Sequence, residues 1–192
     1  RLGKADDAIT ALRAARSASP GDALVLAELA RVAEAQGRWE ELANVCALRV
    51  ETLSNTHDKV LLLLRLGTLY EERLKRDDLA LAAYQQVLKL QPAQPLALQM
   101  LGKLFHKKGD WTGLLSTYDE EARSLADPLK VTPLFRAGEL LEQKLAREPE
   151  AIARYAEVLK LAPGFVPAQR ALLRLYEKHK RWAELVELLR PR

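Results

Sequence analysis

Residues Leu63 to Pro92 read LLRLGTLYEERLKRDDLALAAYQQVLKLQP. The landmarks are Leu63-x2-Leu66-Gly67-x2-Tyr70, then Ala80-x3-Tyr84, then Pro92. Apolar residues three and four apart make two amphipathic helices, and Lys75-Arg76-Asp77 makes a polar turn between them. Small residues, Gly67 and Ala80, stand where the two helices must come close. A single hairpin of this kind cannot bury its apolar face alone, so it must stack on copies of itself.

The copies are present at a doubled period. Trp39, Trp111 and Trp182 lie 72 and 71 residues apart, and Pro20, Pro92 and Pro163 keep the same spacing. Gly67 recurs as Gly138, Ala80 as Ala151 and Tyr84 as Tyr155, each 71 residues on. The unit is therefore a pair of unequal hairpins. One ends in the helix carrying Tyr and a closing Pro; the other carries Gly and Trp at its turn. Of the second kind are Leu98-x2-Leu101-Gly102-x2-Phe105 with Gly109-Asp110-Trp111, and Leu26-x2-Leu29-Ala30 with Gly37-Arg38-Trp39.

This pattern resembles the tetratricopeptide repeat over essentially the whole chain. The resemblance implies an all-α, right-handed α-solenoid of stacked antiparallel helix hairpins. Eleven helices are expected: a second helix without its first over residues 1–20, then hairpins over 22–55, 59–92, 94–127, 129–163 and 165–190. The chain reads as a piece of a longer array, in a style similar to bacterial tandem repeats. The family resemblance also implies a concave groove lined by first helices. Carried over by repeat position, the groove residues are Arg31, Glu34, Thr68, Glu71, Gln99, Lys103, His106, Lys107, Glu139, Glu142, Arg170, Arg174 and Lys178. Basic rungs would alternate with mixed and acidic ones. The implied function is a non-enzymatic scaffold that binds another protein or a peptide segment, with acidic residues spaced to meet Lys103/Lys107 and Arg170/Arg174. The alternatives are a single-stranded RNA-binding helical repeat and a structural spacer within a larger protein. End-to-end self-association through open hairpin faces is a further expectation.

Composition supports the helical reading. Leu and Ala dominate, Val and Ile are sparse, and no stretch alternates with period two. Net charge is +4, and its placement is local. Residues 165–192 hold seven of the 30 basic and three of the 26 acidic side chains, leaving 23 of each elsewhere. A basic end rather than a basic protein argues against nucleic acid as the partner. No apolar run approaches a membrane span, and a cytoplasmic location is expected. One cysteine, Cys46, rules out an intramolecular disulfide; at the register of Tyr84 it reads as a buried core thiol.

Chemistry-bearing residues do not cluster. His57, His106 and His179 are scattered, and His106 with Asp110 is a lone i, i+4 pair on a helix surface. Three or four ligands would be needed for a metal. No metal, cofactor or catalytic residue is expected.

Packing expectations are sharper. Gly67, Gly102 and Gly138 share a register inside first helices, which predicts close approach of the partner helix at all three. Gly113, near the start of a second helix, should tolerate alanine. The tryptophans are expected to pack between hairpins. Gly3 is placed in a turn, Asp22 as an N-cap, and Ser54 to Asp58 as a polar break before a helix from Lys59. Asp127-Pro128 and Thr132-Pro133 serve equally as the next helix start.

Overall fold

A computed structural model describes residues 2–19 and 21–190, without the side chains of residues 2–6 and 8. Every regular element among the described residues is helical: α1 (Leu2–Ala18), α2 (Ala23–Ala35), α3 (Trp39–Thr52), α4 (Thr56–Thr68) continued by a π turn (Leu69–Arg73), α5 (Asp77–Leu90), α6 (Pro95–Lys108), α7 (Trp111–Ser124), α8 (Asp127–Gln143), α9 (Glu148–Leu161), α10 (Val166–Lys178) and α11 (Trp182–Leu189). The chain divides into two units, Arg1–Ala97 and Leu98–Arg192.

In the first unit α1 packs on α2, α2 on α3, α3 on α4, and α4 on α5. Its core joins Leu26 and Leu29 of α2, Leu42 and Val45 of α3, and Leu62 and Leu66 of α4. Ile9 of α1 and the Cys46 side chain are fully enclosed there, and burial pushes the Cys46 thiol pKa up. In the second unit α7 packs on α8, α8 on α9, α9 on α10 and α10 on α11. Leu141, Tyr155, Leu172 and Leu175 are at its centre.

Local chemistry sets the helix ends. Asp22 caps α2 as the sequence indicates, its Oδ1 accepting from the N–H groups of Leu24 and Val25 at 2.9 and 3.1 Å. Asn55 caps α4 by accepting from His57 N–H at 2.8 Å, so that helix starts at Thr56 rather than Lys59. The polar residues Thr56 to Asp58 form its first turn. Gly3 lies inside α1 and not in a turn; the strong helix formers that follow it carry the helix through a single unfavourable residue. Helix α8 begins at Asp127 with Pro128 in its first turn. Pro133 is buried inside it, seventh in line, and forgoes the bond to the Leu129 carbonyl. Pro20 and Pro191 lie outside the described residues.

Two turn types match the two hairpin types. After α2 and α6 the chain turns on Gly37 and Gly109 with φ of 67° and 69°, and Arg38 and Asp110 donate back five residues to Ala33 and Phe105. In the hairpin of α4 and α5 the extra residue is taken up as the π turn, with Leu74 N–H donating to the Leu69 carbonyl at 3.1 Å. Arg76 then reaches back six residues to Tyr70. The end of α8 repeats this, with Leu145 donating to Leu140 and Arg147 to Leu141.

The glycine register divides the same way. A Cβ on Gly67 would stand 2.5 Å from the Tyr84 ring, and one on Gly138 would stand 2.5 Å from the Tyr155 ring. Both tyrosines are 1% exposed, so each ring lies in the notch its glycine leaves. Gly102 is different: its Cβ would meet Leu114 at 3.6 Å and Thr117 at 3.8 Å, ordinary contacts. The expected close crossing at Gly102 is therefore corrected, because aliphatic and small side chains face it instead of a ring. Gly113 is corrected in the other direction. Its Cβ would fall 2.6 Å from the Phe105 ring and 2.9 Å from the Asp110 carboxylate.

Candidate functional site

First helices and second helices form separate faces within each unit, and ion pairs record the layering. On the first-helix side Glu34 of α2 meets Arg65 of α4 at 2.6 Å, and Glu142 of α8 meets Arg174 of α10 at 2.6 Å. On the second-helix side Arg13 of α1 meets Glu41 of α3 at 2.6 Å, and Asp119 of α7 meets Arg154 of α9 at 2.8 Å. Acidic and basic rungs thus neutralise one another between neighbouring hairpins. Such pairs at the surface contribute only about 0–1 kcal/mol each, so their main effect is to fix side-chain direction.

In the first unit Arg31 is exposed on α2 and bonded along its own helix to Glu28 at 2.5 Å. That contact holds the Glu28 carboxyl below its usual range and raises the Arg31 pKa. Glu34 is the exposed partner of Arg65. Thr68 donates to the Leu64 carbonyl at 3.1 Å and lies 3.4 Å from the Tyr84 hydroxyl. Glu71 is half-buried in the π turn.

In the second unit Gln99, Lys103, His106 and Lys107 are exposed on α6. His106 sits edge-on to the Trp111 ring at 5.5 Å, and Asp110 accepts from Gly113 N–H at 2.9 Å as the cap of α7. Glu139 and Glu142 are half-buried on α8; Arg170, Arg174 and Lys178 are exposed on α10. Glu142 is the hub of this face. One of its oxygens accepts from the Tyr155 hydroxyl at 3.0 Å and the other from Arg174 at 2.6 Å. Its side chain is 12% exposed while that of Arg174 is 64% exposed, so the guanidinium is anchored yet still faces solvent. Burial first, then the Glu142 charge, pushes the Tyr155 phenol pKa far upward. Lys178 and His179 both bond Glu148 at the start of α9, His179 at 2.6 Å.

The structure therefore brings Glu142, Arg174 and Lys178 to one polar surface with Arg170. Arg31, Glu34, Thr68 and Glu71 belong to the other unit. Sequence reading missed the partners Arg65, Tyr155 and Glu148. The available signal was a complementary charge 30 to 32 residues on, about one hairpin away.

The tryptophans make a second series. Trp39 is half-buried on the core with the Arg73 guanidinium 4.8 Å over its ring. Trp111 is half-buried with Lys144 Nζ 5.2 Å over its ring. Trp182 departs from the packing expected of it: it is 57% exposed, because no following helix covers it. Among the described residues no three His, Cys, Asp or Glu side chains are placed to hold a metal ion. None of the described helices is long and apolar enough to cross a membrane.

Family profiles described as tetratricopeptide repeat match residues 62–93 and 97–131. A search of curated proteins finds no match. Among solved structures, the C-terminal part of a TPR repeat-containing protein from Cytophaga hutchinsonii superposes with a TM-score of 0.51 at 12% identity, covering 93% of this chain and 67% of that one. MamA gives 0.49 at 16% identity over 83% and 90% of the two chains. YrrB, described as a TPR protein with an unusual peptide-binding site, gives 0.47 at 18% identity over 88% and 84%.

Proposed function

Since the chain belongs to the tetratricopeptide-repeat family, we propose that it is a non-enzymatic protein-interaction scaffold whose ligand lies along the first-helix face. The observation that carries this reading is the anchored polar surface of α8 and α10. Glu142 holds Arg174 in place, and the guanidinium keeps most of its surface in water. A preset cation loses little freedom when it meets a carboxylate, which favours binding. Lys103 and Lys107 on α6 and Arg170 on α10 extend the basic character of the same unit. Helices pack about 8–10 Å apart, so basic side chains two first helices apart are separated by roughly 20 Å. An extended segment spans that gap with about six residues. The ligand is therefore an extended peptide with acidic residues about that far apart.

The test is binding of peptides carrying two acidic pairs about six residues apart, with closer spacings as controls. Lys103→Glu and Arg170→Glu should each weaken binding and flatten its salt dependence while helical content stays constant. Arg174→Glu is a poorer probe, since it sets a second carboxylate against Glu142. Affinity that ignores spacing and both reversals would remove the first-helix face as the binding surface.

A further inference from the structure

Trp182, Val186 and Leu189 follow one another at i, i+4 and i+7 on α11 and are 57%, 54% and 60% exposed. This spacing makes one apolar stripe of a helix. The same register in the earlier Trp-type hairpins is covered. Ala43 and Cys46 stand where Val186 and Leu189 do, 143 residues before, and are 1% and 0% exposed. Leu115 and Tyr118, 71 residues before, are buried and half-buried. In each case the next helix does the covering. Leu62, Leu66 and Leu69, from α4 and its π turn, enter the cluster that holds Ala43 and Cys46, and α8 packs on α7. Each covering segment also ends in a cation over the tryptophan: Arg73 on Trp39 and Lys144 on Trp111. Consecutive helices run antiparallel, so the C-terminal end of the arriving helix meets the tryptophan that opens the resident one.

We infer that the Trp182 face of α11 is a docking surface for an amphipathic α-helix of another protein, one with an apolar stripe and a Lys or Arg at its C-terminal end. The surface is distinct from the first-helix face and does not depend on that reading. A second copy of this chain is a weaker fit. Its helices of the right chemistry, α4 and α8, are already engaged in their own units. A pairing of α11 with α11 covers only eight residues, about 12 Å of helix. That is far less than the roughly 1,000 Å² a stable interface buries.

A fluorescein-labelled peptide of residues 127–144 carries the α8 stripe and Lys144, and its anisotropy is read on titration with the full chain. Saturable binding is expected. Trp182→Ala and Val186→Asp in the chain should each weaken it by about tenfold or more, and Lys144→Ala in the peptide by about two- to fivefold. Both chain positions are more than half exposed, and an unchanged circular dichroism spectrum verifies the fold. Absence of saturation, or equal affinity for the Trp182→Ala and Val186→Asp chains, overturns the inference. So does a dimer of the chain that Val186→Asp dissociates and that does not take up the peptide, since the occupant is then a second copy.

Discussion

Glycine inside a helix costs about 1 kcal/mol relative to alanine, and what faces each glycine decides whether that cost can be recovered. At Gly138 it cannot. The Tyr155 ring would lie 2.5 Å from a new Cβ, and Tyr155 is enclosed and tied to Glu142, so it has nowhere to swing. Gly138→Ala should overpack the notch by about 1–3 kcal/mol and lower the melting temperature. Gly102→Ala meets only ordinary contacts and should raise it, recovering up to about 1 kcal/mol. Equal shifts for the two variants in thermal melts would count against the ring-in-notch account. The shared register of the glycines was legible in the sequence. Which side chain fills each notch was not, because that depends on how the second helix is rotated against the first. Lys180 is the opposite case. It occupies the turn position of Gly37 and Gly109 with φ of 55°, a conformation that disfavours a side chain. Lys180→Gly should stabilise by about 1 kcal/mol, measured by denaturant titration; destabilisation would show that the lysine side chain supplies more than the backbone loses.

Glu148 joins two elements, standing first in α9 while bonding Lys178 and His179 at the end of α10. Hydrogen bonds from Lys178 and then His179 hold its carboxyl below the usual range, and a helix N-terminus also favours the anion. A carboxyl with a depressed folded-state pKa adds stability above its unfolded value of about 4.3, and that share is lost as pH falls through the folded value. Carbon-detected NMR titration should therefore find Glu148 ionised to lower pH than an ordinary glutamate, with Lys178→Ala returning it toward normal. An unshifted Glu148 in the native chain, or no response to Lys178→Ala, would mean that the contact is not maintained in solution. At this scale the helices were readable from periodicity and caps, because both are local. The extra residue in the hairpin of α4 and α5 was visible as a length difference. Its resolution into a π turn, with Leu74 donating to Leu69, was not, since the chain could equally have widened the turn.

Across the whole molecule, the repeat pattern specified the fold well because each hairpin touches mainly its sequence neighbours. The candidate surface was less legible. Its residue identities followed from the repeat register, but the pairing of Glu142 with Tyr155 and Arg174 is a tertiary fact that joins α8, α9 and α10. The chain's division into Arg1–Ala97 and Leu98–Arg192 carries a consequence for how damage spreads. In a repeat protein, stability is close to a sum of each repeat's own term and its nearest-neighbour interfaces. Tyr84 fills the Gly67 notch deep in the first unit, so Tyr84→Ala should remove about 3–5 kcal/mol locally. Under hydrogen exchange, amides of α4 and α5 should lose protection most and those of α3 somewhat less. Amides of α8 to α10 should exchange nearly as before, because neither their burial nor their hydrogen bonds include Tyr84. The reciprocal substitution, Tyr155→Ala, should open α8 and α9 and spare α2 and α3. A uniform loss of protection in both variants would mean that the two units unfold as one cooperative block, and the nearest-neighbour description would then fail for this chain.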